Sequence, residues 1–98
     1  MPHAKLGIAC KVNVNATIHH GAKIGNFCTI SPGALILGNV IIEDEVYIGA
    51  GAIIKQRCRI GAGAVVGAGA VVVNDIPPKK TVVGVPAKEK SSMKFAKN

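Results

Sequence analysis

The chain has 98 residues, 12 basic side chains against 5 acidic ones, and a formal charge of +7. That length permits one domain with a limited core, so oligomerisation is a natural source of further stability. One Tyr, two Phe and no Trp leave little for base stacking, and the lysines are scattered or gathered in the tail. Nucleic acid is therefore excluded in favour of anionic small molecules such as phosphates and nucleotides.

The opening stretch "MPHAKLGIAC" lacks the apolar core of a secretory leader, and three cysteines without such a leader point to reduced thiols in a cytoplasmic setting. Residues 1–5, with His3, are read as a lead-in. From Leu6 onward an aliphatic residue recurs at every sixth position: Leu6, Val12, Ile18, Ile24, Ile30, Ile36, Ile42, Ile48, Ile54, Ile60, Val66 and Val72. Four residues after each of these the side chain is small or aliphatic, from Cys10 and Ala16 to Ala70 and Ile76. Three residues after, turn formers dominate, among them Asn15, Gly21, Gly33, Asn39, Gly51, Gly63, Gly69 and Asp75, which tolerate positive φ best.

Each hexad thus reads as one short strand plus a corner, with two inward positions two residues apart as strand alternation requires. Three hexads close a triangular coil of eighteen residues, and twelve hexads make four coils over residues 6–77. The expected architecture is an all-β triangular solenoid of parallel strands. The uncharged run 60–73 is too short to span a bilayer, which needs roughly 20 helical residues, so no membrane insertion is expected. Pro78 falls where the next aliphatic residue is due, and Pro77–Pro78 cannot continue a ladder. Residues 78–98 are read as an extension: "TVVGVPAK" as a short extended segment, and "EKSSMKFAKN" as a basic tail, helical for a turn or unstructured.

Cys10, Cys28 and Cys58 all occupy the small inward position, where they serve as buried hydrophobes. No set of residues has the spacing of a metal site, and none is expected. Ile18 points inward, so His19 and His20 head into a corner in diverging directions, towards solvent or a neighbouring subunit. The acidic trio Glu43 to Glu45 reads as a solvated corner.

The hexad register resembles the hexapeptide-repeat family, and that resemblance implies a left-handed parallel β-helix, against the usual right-handed rule. Within the family, "NVNATIHHGAKIGNFCTISPGALILGNV" is similar to acyltransferases that move acetyl from acetyl-CoA to an amino group of a nucleotide-linked sugar or to a hydroxyl of sialic acid. Ile18, His20, Ile24, Gly25, Ile30, Pro32, Gly33 and Ala34 match the run that carries this likeness, with "GNV" at 38–40 and "VVGVPAK" at 82–88. The resemblance implies His20 as general base, His19 as a variable corner residue, and a homotrimer with acetyl-CoA lying between subunits. It places Thr29, Ala50 and Ala68 at cofactor contact positions, the alternative being ordinary repeat residues whose small size serves the corners. Lys79, Lys80 and Lys88 read either as contacts for CoA phosphates or as a solvated basic end.

Three departures from the family pattern accompany it. Gly21 stands where members often carry an acid beside the histidine. Thr29 replaces a second histidine found in some members. The family's N-terminal nucleotide-sugar domain and early coils have no counterpart here. These departures keep a second reading in view: a non-catalytic trimeric solenoid scaffold, or a remnant that binds CoA without its acceptor domain.

Overall fold

The computed structural model describes residues 4–90. His3 and the tail residues 91–98 lie outside the described residues. The first coil supplies β1 (Lys5–Leu6), β2 (Lys11–Val12) and β3 (Thr17–Ile18). The second supplies β4 (Lys23–Ile24), β5 (Thr29–Ile30) and β6 (Leu35–Ile36). The third supplies β7 (Ile41–Ile42), β8 (Tyr47–Ile48) and β9 (Ile53–Ile54), and the fourth β10 (Arg59–Ile60), β11 (Val65–Val66) and β12 (Val71–Val72). Two further strands follow, β13 (Thr81–Val83) and β14 (Lys88–Glu89). No helix occurs among the described residues, so none is long and apolar enough to cross a membrane.

Strands eighteen residues apart pair in parallel, in register, and build three faces. The first face stacks β1-β4-β7-β10, the second carries β2-β5-β8-β11-β13 with β14 at its edge, and the third stacks β3-β6-β9-β12. The register is the hexad itself: Ile24 pairs with Ile42, Ile30 with Ile48, and Ile36 with Ile54. Ile30, Ile36, Ile48, Ile54, Ile60, Val66 and Val72 are fully buried, as are Ala34, Ala52, Ala64 and Ala70 at the small inward positions. β-Branched side chains suit this setting because each stacks on its like in the next coil. Fully burying one such side chain is worth about 1.5–3 kcal/mol.

The corners follow the same period. Ala9, Asn15, Gly21, Phe27, Gly33, Asn39, Glu45, Gly51, Arg57, Gly63 and Gly69 all have positive φ. Gly and Asn reach that conformation cheaply, but Ala9, Phe27, Glu45 and Arg57 hold it at a cost of about 1–2 kcal/mol each. Asp75, at the same step of the hexad, is absent from this series, and the reason lies in the register of the last coil.

Two features differ from a uniform stack. Leu6 and Val12 sit in the inward register but are 52% and 40% exposed. Both lie in edge strands of their sheets, with no coil over them. At the other end the winding does not stop at the prolines. Ile76 forms a parallel bridge with Ile60, and Val82 pairs with Val66, each sixteen residues on instead of eighteen. Ile76 therefore takes the large inward seat on the first face, not the small corner seat that the hexad count assigns it. The coil is two residues shorter there, Lys79 turns the chain with φ of 62°, and Val82 closes the core at 3% exposure. β14 returns antiparallel against β13.

Candidate functional site

His20 lies on the edge between the third and first faces, immediately after β3. Ile18 anchors the strand at 8% exposure, and the chain must then turn toward β4. Gly21 makes that turn with φ of 79°, a conformation that glycine adopts without steric cost. The backbone around the two histidines is pinned on the coil above. His19 N–H donates to Ile36 C=O at 2.9 Å, and His20 C=O accepts the Asn39 N–H at 3.1 Å. Within the corner, Ala22 N–H donates to His19 C=O at 3.3 Å. Both histidine side chains are exposed. Gly38 stacks above His20, and a Cβ there would come within 3.5 Å of the His20 carbonyl oxygen.

Ala50 and Ala68 lie on a different edge, between the second and third faces. Both are exposed and stack in adjacent coils, where Gly69 N–H donates to Ala50 C=O at 2.8 Å. Gly51 and Gly69 beside them face open space: a Cβ on either would meet nothing within 4 Å. Thr29 is half-buried on the second face, between Lys11 and Tyr47. The fold thus brings Ala50 and Ala68 together but leaves His20 a full face away, about 15–20 Å for six residues of extended chain. Lys79, Lys80 and Lys88 are exposed near the C-terminal end, and Lys80 is paired with Glu89 at 3.0 Å.

The cysteines are free thiols. Cys28 and Cys58 are buried, and burial pushes both thiols up from their ordinary value. Cys28 Sγ donates to Glu43 C=O and Cys10 Sγ to Gly25 C=O, each at 3.0 Å. Among the described residues, no group of three His, Cys, Asp or Glu is placed to hold a metal ion.

The sequence reading missed one arrangement. Glu43 is not a merely solvated corner acid: its Oε2 accepts from Arg59 Nε at 2.8 Å, and its Oε1 accepts the Ala62 N–H at 3.0 Å. The Arg59 hydrogen bond first, and the Ala62 N–H second, hold the Glu43 carboxyl below the usual carboxylate range. Asp75 Oδ1 accepts the Arg59 N–H at 2.9 Å. These three side chains, with Gly61, Ile76, Pro77 and Pro78, line a cleft of about 280 Å³ where the coil shortens. The detectable signal was an acid at 43 and a base sixteen residues later, on the face where hexad counting breaks down.

Residues 39–74 match the family described as bacterial transferase hexapeptide (six repeats). The acetyltransferase domain of PglB from Neisseria gonorrhoeae superposes with a TM-score of 0.83 at 41% identity, covering 89% of this chain and 45% of that one. The serine acetyltransferase CysE of Neisseria gonorrhoeae gives 0.86 at 39% identity, covering 92% and 39%. A perosamine N-acetyltransferase variant from Caulobacter crescentus, solved with CoA and GDP-perosamine, gives 0.73 at 28% identity, covering 94% and 52%. The chain therefore spans between 39% and 52% of the length of these relatives. A comparison with curated protein sequences returned no match.

Proposed function

We propose, from the premise that the chain carries a hexapeptide-repeat acetyltransferase β-helix domain and is homologous to the acetyltransferases of that family, that it transfers acetyl from acetyl-CoA to an amino or hydroxyl group of a sugar. The observation that carries the reading is His20: an exposed imidazole on a backbone pinned to the coil above, with a glycine over it. The neutral imidazole takes the proton from the acceptor nitrogen or oxygen as that atom attacks the thioester carbon. The tetrahedral intermediate then collapses with loss of the CoA thiolate, which is protonated in turn. A base of this kind contributes about 10²–10⁴-fold, and backbone N–H groups along the edge can stabilise the oxyanion.

Acetyl-CoA as donor, with Thr29, Ala50 and Ala68 as its contacts, requires a neighbouring copy, because those residues and His20 stand on separate parts of one prism. The assembly in this reading is a homotrimer in the cytoplasm, with a left-handed winding as the family implies. The sugar acceptor, a nucleotide-linked amino sugar or sialic acid, is supported by the GDP-perosamine bound in one relative. A serine acceptor is the competing choice, favoured by the higher identity and TM-score of the serine acetyltransferases.

The test measures thiol release from acetyl-CoA with amino sugars, nucleotide-linked amino sugars, sialic acid and L-serine, for wild type, His19→Ala and His20→Ala. Loss of about 10²-fold or more in His20→Ala alone is expected. Equal rates in wild type and His20→Ala remove His20 from the mechanism. Calorimetry with CoA separates the scaffold, which binds none at millimolar ligand, from a remnant that binds without turnover. A monomeric mass in solution would eliminate the interfacial site.

A further inference from the structure

Gly21 differs from the other corner glycines in what fills the space where a side chain would be. A Cβ on Gly51 or Gly69 would meet nothing within 4 Å, and one on Gly33 would meet only the Gly51 backbone, at 3.9 Å. A Cβ on Gly63 would meet the flexible Lys79 side chain at 3.3 Å. A Cβ on Gly21 would coincide with the Asn39 carboxamide, lying 3.1 Å from its Cγ and closer still to Oδ1. The corner geometry shared by these glycines does not force such crowding, so the Asn39 side chain itself is what fills the space. Asn39 stands one coil above Gly21, turned by its own positive φ of 59°, and its N–H holds the His20 carbonyl at 3.1 Å.

We propose that Asn39 is the positioning residue for His20: its carboxamide takes the place of a side chain at position 21 and fixes the corner from which the imidazole works. The proposal rests on the reading of His20 as the base. A side chain at 21 and the amide at 39 exclude one another, so the glycine and the asparagine form one unit. The amide brings a polar, uncharged group to the position that follows the histidine, where a carboxylate would bring a charge. Among the described residues, the other titratable and charged side chains on this edge and its adjoining strands are Lys5, His19, Lys23, Lys55, Arg57 and Arg59, with Asp75 beyond Arg57.

Asn39→Gly removes the amide while keeping both the backbone N–H and the freedom to adopt positive φ. Asn39→Asp places a charge in the same space. Asn39→Gly is expected to lower kcat about 10-fold with KM within about 3-fold, the lower end of the effect of losing a group that orients a functional histidine. Asn39→Asp is expected to raise the midpoint of the His20 ring titration, followed by NMR with His19 as internal reference, by about 0.5–1 unit, because an opposite charge nearby favours the imidazolium. Gly21→Ala is expected to destabilise wild type more than it destabilises Asn39→Gly. Should wild type acetylate no acceptor, the functional reading fails, while the His20 titration and the Gly21/Asn39 stability cycle still decide the role of Asn39. An unchanged kcat in Asn39→Gly together with an unchanged His20 titration in Asn39→Asp would overturn the proposal. In an inactive protein, the unchanged titration alone would do so.

Discussion

Gly49 and Gly51 lie two residues apart on one corner, and replacing each by alanine should fail for different reasons and by different amounts. A Cβ on Gly49 would lie 2.6 Å from the Ala68 nitrogen and 2.8 Å from Gly67 C and Val66 O, all backbone atoms of the next coil. Ordinary contact begins at 3.4 Å, so the coil must retreat by about 0.8 Å at this point. The Gly49 N–H to Val66 C=O hydrogen bond, 2.7 Å long, is then stretched to the limit of useful geometry. Overpacking of this kind costs about 1–3 kcal/mol and the weakened hydrogen bond about 1 kcal/mol, giving roughly 2–4 kcal/mol for Gly49→Ala. Gly51 has nothing within 4 Å but a φ of 70°. Its replacement costs only the left-handed backbone strain, about 1 kcal/mol. Urea unfolding at one fixed protomer concentration measures both, with the concentration fixed because an oligomer's stability depends on it. Equal losses of about 1 kcal/mol in the two variants would refute the claim that coil spacing, not corner conformation, is what Gly49 protects.

Glu43 makes stability depend on acid. Its folded pKa is depressed, chiefly by the Arg59 hydrogen bond, so its contribution is present above the ordinary carboxylate range and is lost as pH falls through the folded value. Melting temperatures between about pH 3 and 7 should therefore fall less steeply toward acid in Glu43→Gln than in wild type, and identical slopes would contradict the assignment. Arg57 holds φ of 67° with no glycine to ease it. Arg57→Gly keeps the N–H bond to Gly38 C=O and should gain about 0.5–1 kcal/mol, the strain relieved less the entropy that glycine loses. A loss of stability would show that the arginine side chain supplies more than the strain it imposes.

The solenoid was legible because its signal is redundant. Each inward residue restates the same period, and twelve restatements outweigh any local ambiguity. Corner conformation was legible only where glycine or asparagine marks it. Phe27, Glu45 and Arg57 adopt the same backbone because the coils above and below require it, and nothing in those side chains announces the fact. The end of the winding was less legible still. Counting in sixes gives Ile76 the small seat and leaves the large one to Pro78, whereas the chain drops two residues and lets Ile76 and Val82 continue the stack. A proline at the expected position is equally consistent with termination and with a shortened turn. The period sets Arg59 diagonally beside Glu43, but it is read from inward residues and does not say which outward side chains pair, and the bond from the Arg59 N–H to Asp75 depends on the shortened turn. Asn39 was legible as a corner residue and not as the occupant of the Gly21 space, since that depends on which way one side chain leans.

The coil length also decides which residues can share a site. Through the four regular coils positions on one edge recur every eighteen residues, so His20 stands with Gly38 and Gln56, and Ala50 stands with Ala68. His20 and Ala50 are thirty residues apart along the chain and stand on edges separated by the full width of the third face, which no change of side-chain conformation bridges. A triangular prism of this thickness has no interior cleft in which donor and acceptor could meet, because its centre is filled by the stacked isoleucines and alanines. If the proposed reaction uses both edges, it has to be assembled between copies of the chain. The narrowness of the core, which follows from a six-residue period of small and β-branched side chains, is thus the same property that makes association a condition of the proposed reaction.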